Sequence, residues 1–313
     1  MATESKPLEI TKALQHLVSV GKDGWWPYNA DQTAYSIEAT AYALIALRQN
    51  ADVVNKSVDF LISAQLDSGG WGTTPGVAEW DYTTYLALFA LNVARRQHPG
   101  IVTRTASACA KAHDLLLDGR TEFLTPAGRV FFLMWSGPSY DYARGWPWMA
   151  KTFHWVEPTC LALLAIDASE IAGKKLLKAA DHARAYLAEV SCVDGGWNYG
   201  NRIVLGAPVP PMAVNTAQGI LALQAQPQGA LVASALAYLD RADNEFMSIV
   251  ETAWSALARD AVGRPSDKQR ERLASHQAED GSFSHNIMAS AMAAIACGIP
   301  ENGNPFKFAS ARS

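Results

Sequence analysis

The chain has 313 residues, 49% hydrophobic and 18% charged, which excludes disorder and fibrous repeats and leaves apolar mass for one large domain or two ordinary ones. Its 26 Lys and Arg stand against 30 Asp and Glu, a net charge of −4 with no long basic run, which argues against nucleic-acid binding driven by phosphate contacts. The start, Met1-Ala-Thr-Glu-Ser-Lys-Pro, lacks the order of a secretory signal, and no stretch nears the roughly 18 apolar residues of a bilayer span, so a cytoplasmic location is expected. Cys109, Cys160, Cys192 and Cys297 lie far apart without CxxC spacing and read as reduced, buried thiols.

Along the chain an amphipathic helix, a Gly-aromatic turn and a second helix rich in Ala and Leu recur, making about six units. The first unit turns at Lys22-Asp-Gly-Trp-Trp and starts its second helix at Ile37-Glu-Ala-Thr-Ala-Tyr. Next come Asp67-Ser-Gly-Gly-Trp-Gly before Asp81-Tyr-Thr-Thr-Tyr, and Arg144-Gly-Trp-Pro-Trp before Trp155-Val-Glu-Pro-Thr-Cys. The last three units pair Asp194-Gly-Gly-Trp-Asn with Ala213-Val-Asn-Thr, Asp243-Asn-Glu-Phe with Ile249-Val-Glu-Thr, and Glu279-Asp-Gly-Ser-Phe with Asn286-Ile-Met-Ala-Ser.

A small hydroxyl recurs in the second helices at Thr40, Thr84, Thr159, Thr216, Thr252 and Ser290. Those helices are apolar on most sides, whereas first helices such as Lys175–Leu187 mix charge with apolar residues at three-to-four spacing. Strand signals are weak throughout. The reading is all-α: a single α/α-toroid domain over residues 1–313, with repeats from about 9 to 298 and an irregular tail after 299. In the turns, Asp67 and Asp194 suit turn initiation, Trp71 and Trp197 plug the gap between hairpins, and Gln65 is placed to bond free backbone groups at a helix end.

Gln65-Leu-Asp-Ser-Gly-Gly-Trp-Gly, with Asp194-Gly-Gly-Trp and Gln277-Ala-Glu-Asp-Gly-Ser-Phe, resembles the QW repeat of the squalene-hopene cyclase and oxidosqualene cyclase superfamily, which shares its repeat with protein prenyltransferase β subunits. The resemblance implies an α/α toroid whose central cavity holds an isoprenoid. It also implies that a class II-type cyclase would use a carboxylic acid to protonate an alkene. No DxDD motif occurs; with Thr159 matched to the Thr after that motif, Glu157 takes the place of the proton-donating Asp, and Glu38 has the same relation to Thr40. Neither the Asp, Cys and His zinc set of the prenyltransferases nor a DDxxD motif is present, so no metal and no cofactor are expected.

In a toroid, residues just before and in the first turn of each inner helix face the wide end of a central funnel. Here these include Tyr35, Glu38, Asp81, His154, Glu157, Asn215, Gln218, Glu251, His285 and Asn286. Carboxyls there need pairing or protonation. Glu157 is the candidate acid and His154, three residues before it, the group that orients it; Asp81 and Asp141 are alternative acids. Pro158 suits a first helical position, which makes Glu157 a candidate cap, as Asp81 is for the second unit. Tyr82, Tyr140, Trp146, Trp148, Trp155 and Trp254 would supply an apolar, π-rich wall, with Glu38 and Asn215 beside the substrate.

The function expected is a class II-like terpene cyclase or isomerase acting on a small hydrophobic isoprenoid. The alternatives are a non-catalytic toroid binding a prenyl chain or a protein, and a carbohydrate-active enzyme using paired carboxyls and Trp platforms. Peripheral membrane contact is left open.

Overall fold

A computed structural model describes residues 9–119, 144–225, 229–243 and 247–308. Helices alternate in role along the chain: α1 (Ile10–Val20) leads to α2 (Ile37–Ala46), α3 (Ala51–Ser63) to α4 (Thr83–Gln97), and α5 (Val102–Asp118) to α6 (Val156–Asp167). In the second half α7 (Lys174–Glu189) leads to α8 (Ala213–Ala222), α9 (Ala230–Ala242) to α10 (Ile249–Ala261), and α11 (Asp267–Ser275) to α12 (Ile287–Cys297), with a final turn α13 (Ile299–Asn302). Each even-numbered helix packs against the even-numbered helices before and after it, and α12 packs against α2. Among the described residues six inner helices therefore form a closed ring with the odd-numbered helices α1 to α11 outside it, the α/α toroid expected from the repeat.

The seam is closed by the same contacts that join units elsewhere. Gln65 Nε2 donates to the carbonyls of Gly69, in its own turn, and Ala108, on the next outer helix, at 2.8 and 2.9 Å. Gln277 Nε2 likewise donates to Gly281 and to Glu9, and its Oε1 accepts the Glu9 amide at 3.1 Å. Gly69 and Gly281 sit at positive φ where an added Cβ would lie 2.6 Å from the Lys111 carbonyl and 2.4 Å from that of Lys12, so each turn rests on the backbone of the following outer helix.

Five of the six recurring hydroxyls have one job. The backbone N–H of Trp26, Trp71, Trp146 and Trp197 donates to Thr40, Thr84, Thr159 and Thr216 at 2.9–3.0 Å, and Phe283 donates to Ser290 at 3.2 Å. Each of those indoles in turn donates to a carbonyl at or near the end of the preceding outer helix, at Leu17, Leu61, Leu116 and Leu187. A helix end that would otherwise bury free carbonyls is thereby satisfied. Residues 244–246 of the fifth turn lie outside the described residues, and Thr252 donates to Ser248 within its own helix. Three positions after the hydroxyl every inner helix carries a small residue (Ala43, Ala87, Ala162, Gly219, Ser255, Ala293), and a Cβ at Gly219 would meet the Trp197 indole at 2.4 Å.

The described part of the tail, to residue 308, forms the floor of the ring. Arg48 holds the carbonyls of Asn302 and Gly303, Asn304 Nδ2 donates to Leu257, and Gln224 brackets Phe306 and Phe308 through their backbone, so the strand of chain crosses the C-terminal ends of α2, α10 and α8. Phe306 stacks on Phe89 of α4 at 4.7 Å and meets Trp254 of α10 edge-on at 5.2 Å. Those two helices stand opposite each other in the ring, which puts Phe306 on its axis. Phe306 is fully buried.

Candidate functional site

The repeat register identifies the mouth of the ring. Two residues before the recurring hydroxyl stand Glu38, Tyr82, Glu157, Val214, Val250 and Met288, and all six are half-buried although nearly every neighbour on their helices is buried. On α2 Glu38 is the one residue not fully buried. One turn below, at i+4, lie Tyr42, Leu86, Leu161, Gln218, Trp254 and Met292, all buried. The inner wall thus has a rim layer and a second layer. Half of the rim, on α2, α4 and α6, carries two carboxyls and a phenol; the other half carries Val, Val and Met.

Burial is the main force on the polar half. It raises the Glu38 pKa to about 7; the hydrogen bond from Tyr82 opposes this, and the charges of Glu157 and Asp81 add to it. Glu157 is raised as well, chiefly by burial, while Gln218 Nε2 donates to its Oε1 at 3.1 Å and supports the ionised form. Burial together with the charges of Glu38 and Glu157 also holds the Tyr42 and Tyr82 phenols above their ordinary range. Both carboxyls are thereby shifted toward the protonated form relative to an ordinary glutamate. Below them Tyr42 and Trp254 meet edge-on at 6.4 Å, and Phe306 lies beneath Trp254.

The sequence-predicted residues separate into three groups. Glu38, Tyr82, Glu157 and Trp254 come together around the axis, with Trp148 edge-on to Tyr82 at 4.9 Å and Asn215 in the first turn of α8. Others are placed differently from the expectation. Helix α6 begins at Val156, so Glu157 lies in its first turn with Trp155 as N-cap, and His154 precedes the helix in strand β2 (His154–Trp155), which pairs with β1 (Trp146–Pro147). His154 and Glu157 therefore share no helical face; the imidazole meets Tyr186 of the outer layer edge-on at 4.7 Å. Trp146 is the packing tryptophan of its unit, bonded to Thr159 and Leu116, and Trp155 faces it across the β1–β2 pair.

Asp81 is occupied as a structural anchor. Its Oδ1 accepts from the amide and hydroxyl of Thr83 at 2.9 and 2.6 Å, and its Oδ2 from the Thr73 amide at 2.9 Å and the Thr73 hydroxyl. Glu251, expected on the rim, closes a capping box with Ser248. Tyr140 and Asp141 lie outside the described residues. Among the described residues no group of three His, Cys, Asp or Glu is gathered to hold a metal ion, and no helix is long and apolar enough to cross a membrane.

The loops between the turns and the inner helices surround the mouth and carry exposed apolar side chains: Met149, Phe153, Tyr199, Ile203, Val204 and Met212. A short hairpin of β3 (Ile203–Val204) and β4 (Ala207–Pro208) holds Leu205 fully exposed at its tip. Sequence reasoning missed this feature because single apolar residues in loops carry no periodic signal.

No protein-family model and no curated protein matches the chain. Solved structures do match in fold. The type II terpene cyclase MstE from Scytonema is similar over 93% of this chain and 99% of its own, with 16% identity and a TM-score of 0.58. An alpha-amylase from Clostridium perfringens is similar over 95% and 99%, with 9% identity and a TM-score of 0.66. A glycosidase is similar over 92% and 96%, with 13% identity and a TM-score of 0.59. The fold defines an α/α-toroid protein, and the class is shared by both kinds of enzyme.

Proposed function

We propose that the protein is an acid-initiated isoprenoid cyclase or isomerase of the class II type. The observation that carries this reading is the divided rim: two half-buried carboxyls on one side, Val214, Val250 and Met288 on the other, above the Tyr42 and Trp254 rings. Glu157, whose pKa burial raises, gives its proton to an alkene carbon; the carbocation lies over π faces, each worth roughly 0.5–2 kcal/mol when desolvated. Loss of a proton from the adjacent carbon to Glu38, whose ionised form Tyr82 supports, forms the new alkene. The proton returns from Glu38 to Glu157, and the chemistry balances as an isomerisation. MstE is described with geranylgeranyl dihydroxybenzoate as its substrate, which supports an apolar chain as the ligand of such a ring. The exposed apolar loop tips around the mouth support uptake of that chain from a membrane surface.

A second reading, glycoside hydrolysis, is favoured by the presence of two carboxyls on one half of the rim. One experiment separates them. Purified protein is incubated with linear isoprenoids of several lengths and head groups, followed by GC-MS, and in parallel with soluble glucans, followed by a reducing-end assay. A cyclised or isomerised product that falls about 10²–10⁴-fold in Glu157→Gln supports the first reading. Released reducing ends without any isoprenoid product would replace it with the second.

A further inference from the structure

The basal face of the ring, at the far end of the inner helices from the mouth, gathers positive charge that the proposed reaction does not use. Arg48 follows α2, Arg96 lies in the last turn of α4 and Lys307 belongs to the tail, and all three line one cavity of about 170 Å³ together with Gln97, Asn302 and Asn304. A water molecule takes up about 30 Å³ in the liquid, so a phosphate group has room there. Among the described residues no Asp or Glu lines this cavity, and neither does any exposed large apolar side chain. Arg48, 3% exposed, donates from Nη1 to the Ile45 carbonyl and from Nη2 to those of Asn302 and Gly303, at 2.6–3.0 Å. Arg96 donates to the Pro305 carbonyl at 3.3 Å and lies 5.2 Å from the centre of the Phe308 ring. These neutral partners leave both charges in place. Burial and the charge of Arg96 push the Arg48 pKa down to about 10, and burial lowers Arg96 as well, against the charge of Glu170. Lys307 Nζ stands 3.8 Å from Asp260, whose carboxylate also accepts from Asn304 Nδ2. The C-terminal ends of α2 and α4 add partial negative charge, roughly half a unit each, which three cations exceed.

We propose that this cavity binds the phosphate group of a small soluble molecule, with Arg96 and Lys307 as its ligands from the open side and Arg48 supplying charge from the buried side. A phosphate ester carries about two negative charges near neutral pH, and the guanidinium fork matches its oxygens. Arg96 and Lys307 are both exposed, so the anion reaches them without rearrangement of the fold. Arg48 and Arg96 already hold the tail by its carbonyls and Lys307 is part of it, so the bound anion ties α2 and α4 to the segment that carries Phe306 across the ring. Binding therefore stabilises the folded chain. A lipid headgroup fits less well, because the exposed apolar loop tips cluster around the opposite face. The site does not depend on which reaction the mouth supports.

The test is a phosphorus NMR titration of the full chain with inorganic phosphate and with diphosphate, paired with thermal unfolding in the same anions and in acetate at constant ionic strength. Phosphate or diphosphate is expected to bind with a Kd of about 1 mM or tighter and to raise Tm as its concentration rises, while acetate leaves Tm unchanged. Arg96→Gln and Lys307→Gln alter exposed side chains and are expected to keep the fold by circular dichroism, yet each is expected to weaken binding about tenfold. A variant carrying Lys174→Gln and Lys175→Gln removes two exposed charges from α7, away from the cavity, and is expected to bind as the parent does. Absence of binding up to about 10 mM of either anion would overturn the proposal. So would an equal response to acetate, an equal loss in the α7 variant, or an affinity that survives both Arg96→Gln and Lys307→Gln. Co-sedimentation with vesicles containing phosphatidic acid separates the two sources of phosphate: capture that Arg96→Gln abolishes, without any response to the soluble anions, would assign the cavity to a lipid headgroup instead.

Discussion

Tyr82 on α4 and Glu38 on the neighbouring α2 act on each other electrostatically, coupling two of the six rim positions. The phenol favours the ionised carboxylate against a burial that opposes it. In Tyr82→Phe the Glu38 pKa is therefore expected to rise above its value of about 7, and the limb of the pH–rate profile that reports Glu38 to move to higher pH by about one unit. An unmoved limb in a variant with unchanged Tm would separate Glu38 from the titration.

Glu38 also makes stability depend on pH. Its folded pKa of about 7 lies above the ordinary 4.5, so between these values the folded chain holds more protons than the unfolded one. The stabilising contribution is complete below about pH 4.5 and is lost as pH rises through about 7. Glu38→Gln is expected to flatten that part of the curve and to be more stable than the parent at pH 8, by on the order of 3 kcal/mol. Urea unfolding at pH 5 and pH 8 measures both.

Trp71 represents the repeat tryptophans. Trp71→Phe deletes the N–H that satisfies the Leu61 carbonyl and should cost about 2 kcal/mol, with no change in ligand binding. Thr84→Val, which removes the acceptor of the Trp71 amide, should cost a similar amount. The two share one network, so the double variant is expected to lose less than the sum. Thermal unfolding of the three variants tests this.

Phe306→Ala empties the axis beneath Trp254 and is expected to lower stability by about 3–5 kcal/mol. Seven residues separate Tyr82 from Phe89 on α4, so the floor lies about 10 Å below the rim. If the variant retains its fold by circular dichroism, the longest isoprenoid it binds is expected to exceed that of the parent by at least one isoprene unit. An unchanged length limit would assign the floor to Tyr42 and Trp254 alone.

Leu205→Glu places a charge at the fully exposed hairpin tip. If the mouth meets a membrane, co-sedimentation with neutral phosphatidylcholine vesicles should fall several-fold, while turnover of detergent-solubilised substrate stays unchanged.

The six-unit ring was legible in the sequence because its marks are local: a turn aromatic, a glycine, and a hydroxyl at the start of an apolar helix. The same register contained the site, since Glu38 and Glu157 hold one position relative to Thr40 and Thr159. What chain order concealed was which partner each acid meets. Gln218 reaches Glu157 from a helix 61 residues away, and Tyr82 reaches Glu38 from the next unit, whereas His154, near in sequence, lies outside the helix. Asp81 reads as an acid beside aromatics until Thr73 and Thr83 are seen to take all four of its hydrogen bonds. The tail has no periodicity at all, and only the arrangement of the inner helix ends gives Phe306 its place.

The seam between Gln277 and Glu9 has a consequence for biosynthesis. Its two hydrogen bonds join residues 268 apart, and the axis is filled later still, by Phe306. A nascent chain leaving the ribosome can pair each hairpin with its predecessor, but it cannot shut the circle until Gln277 and Phe306 have emerged. Until then the Ala- and Leu-rich flank of α2 waits for α12, exposed at the leading edge. Chains halted before the last hairpin are expected to be the form that chaperones hold and proteases remove, so that emergence of that hairpin, more than local helix formation, decides when the ring folds.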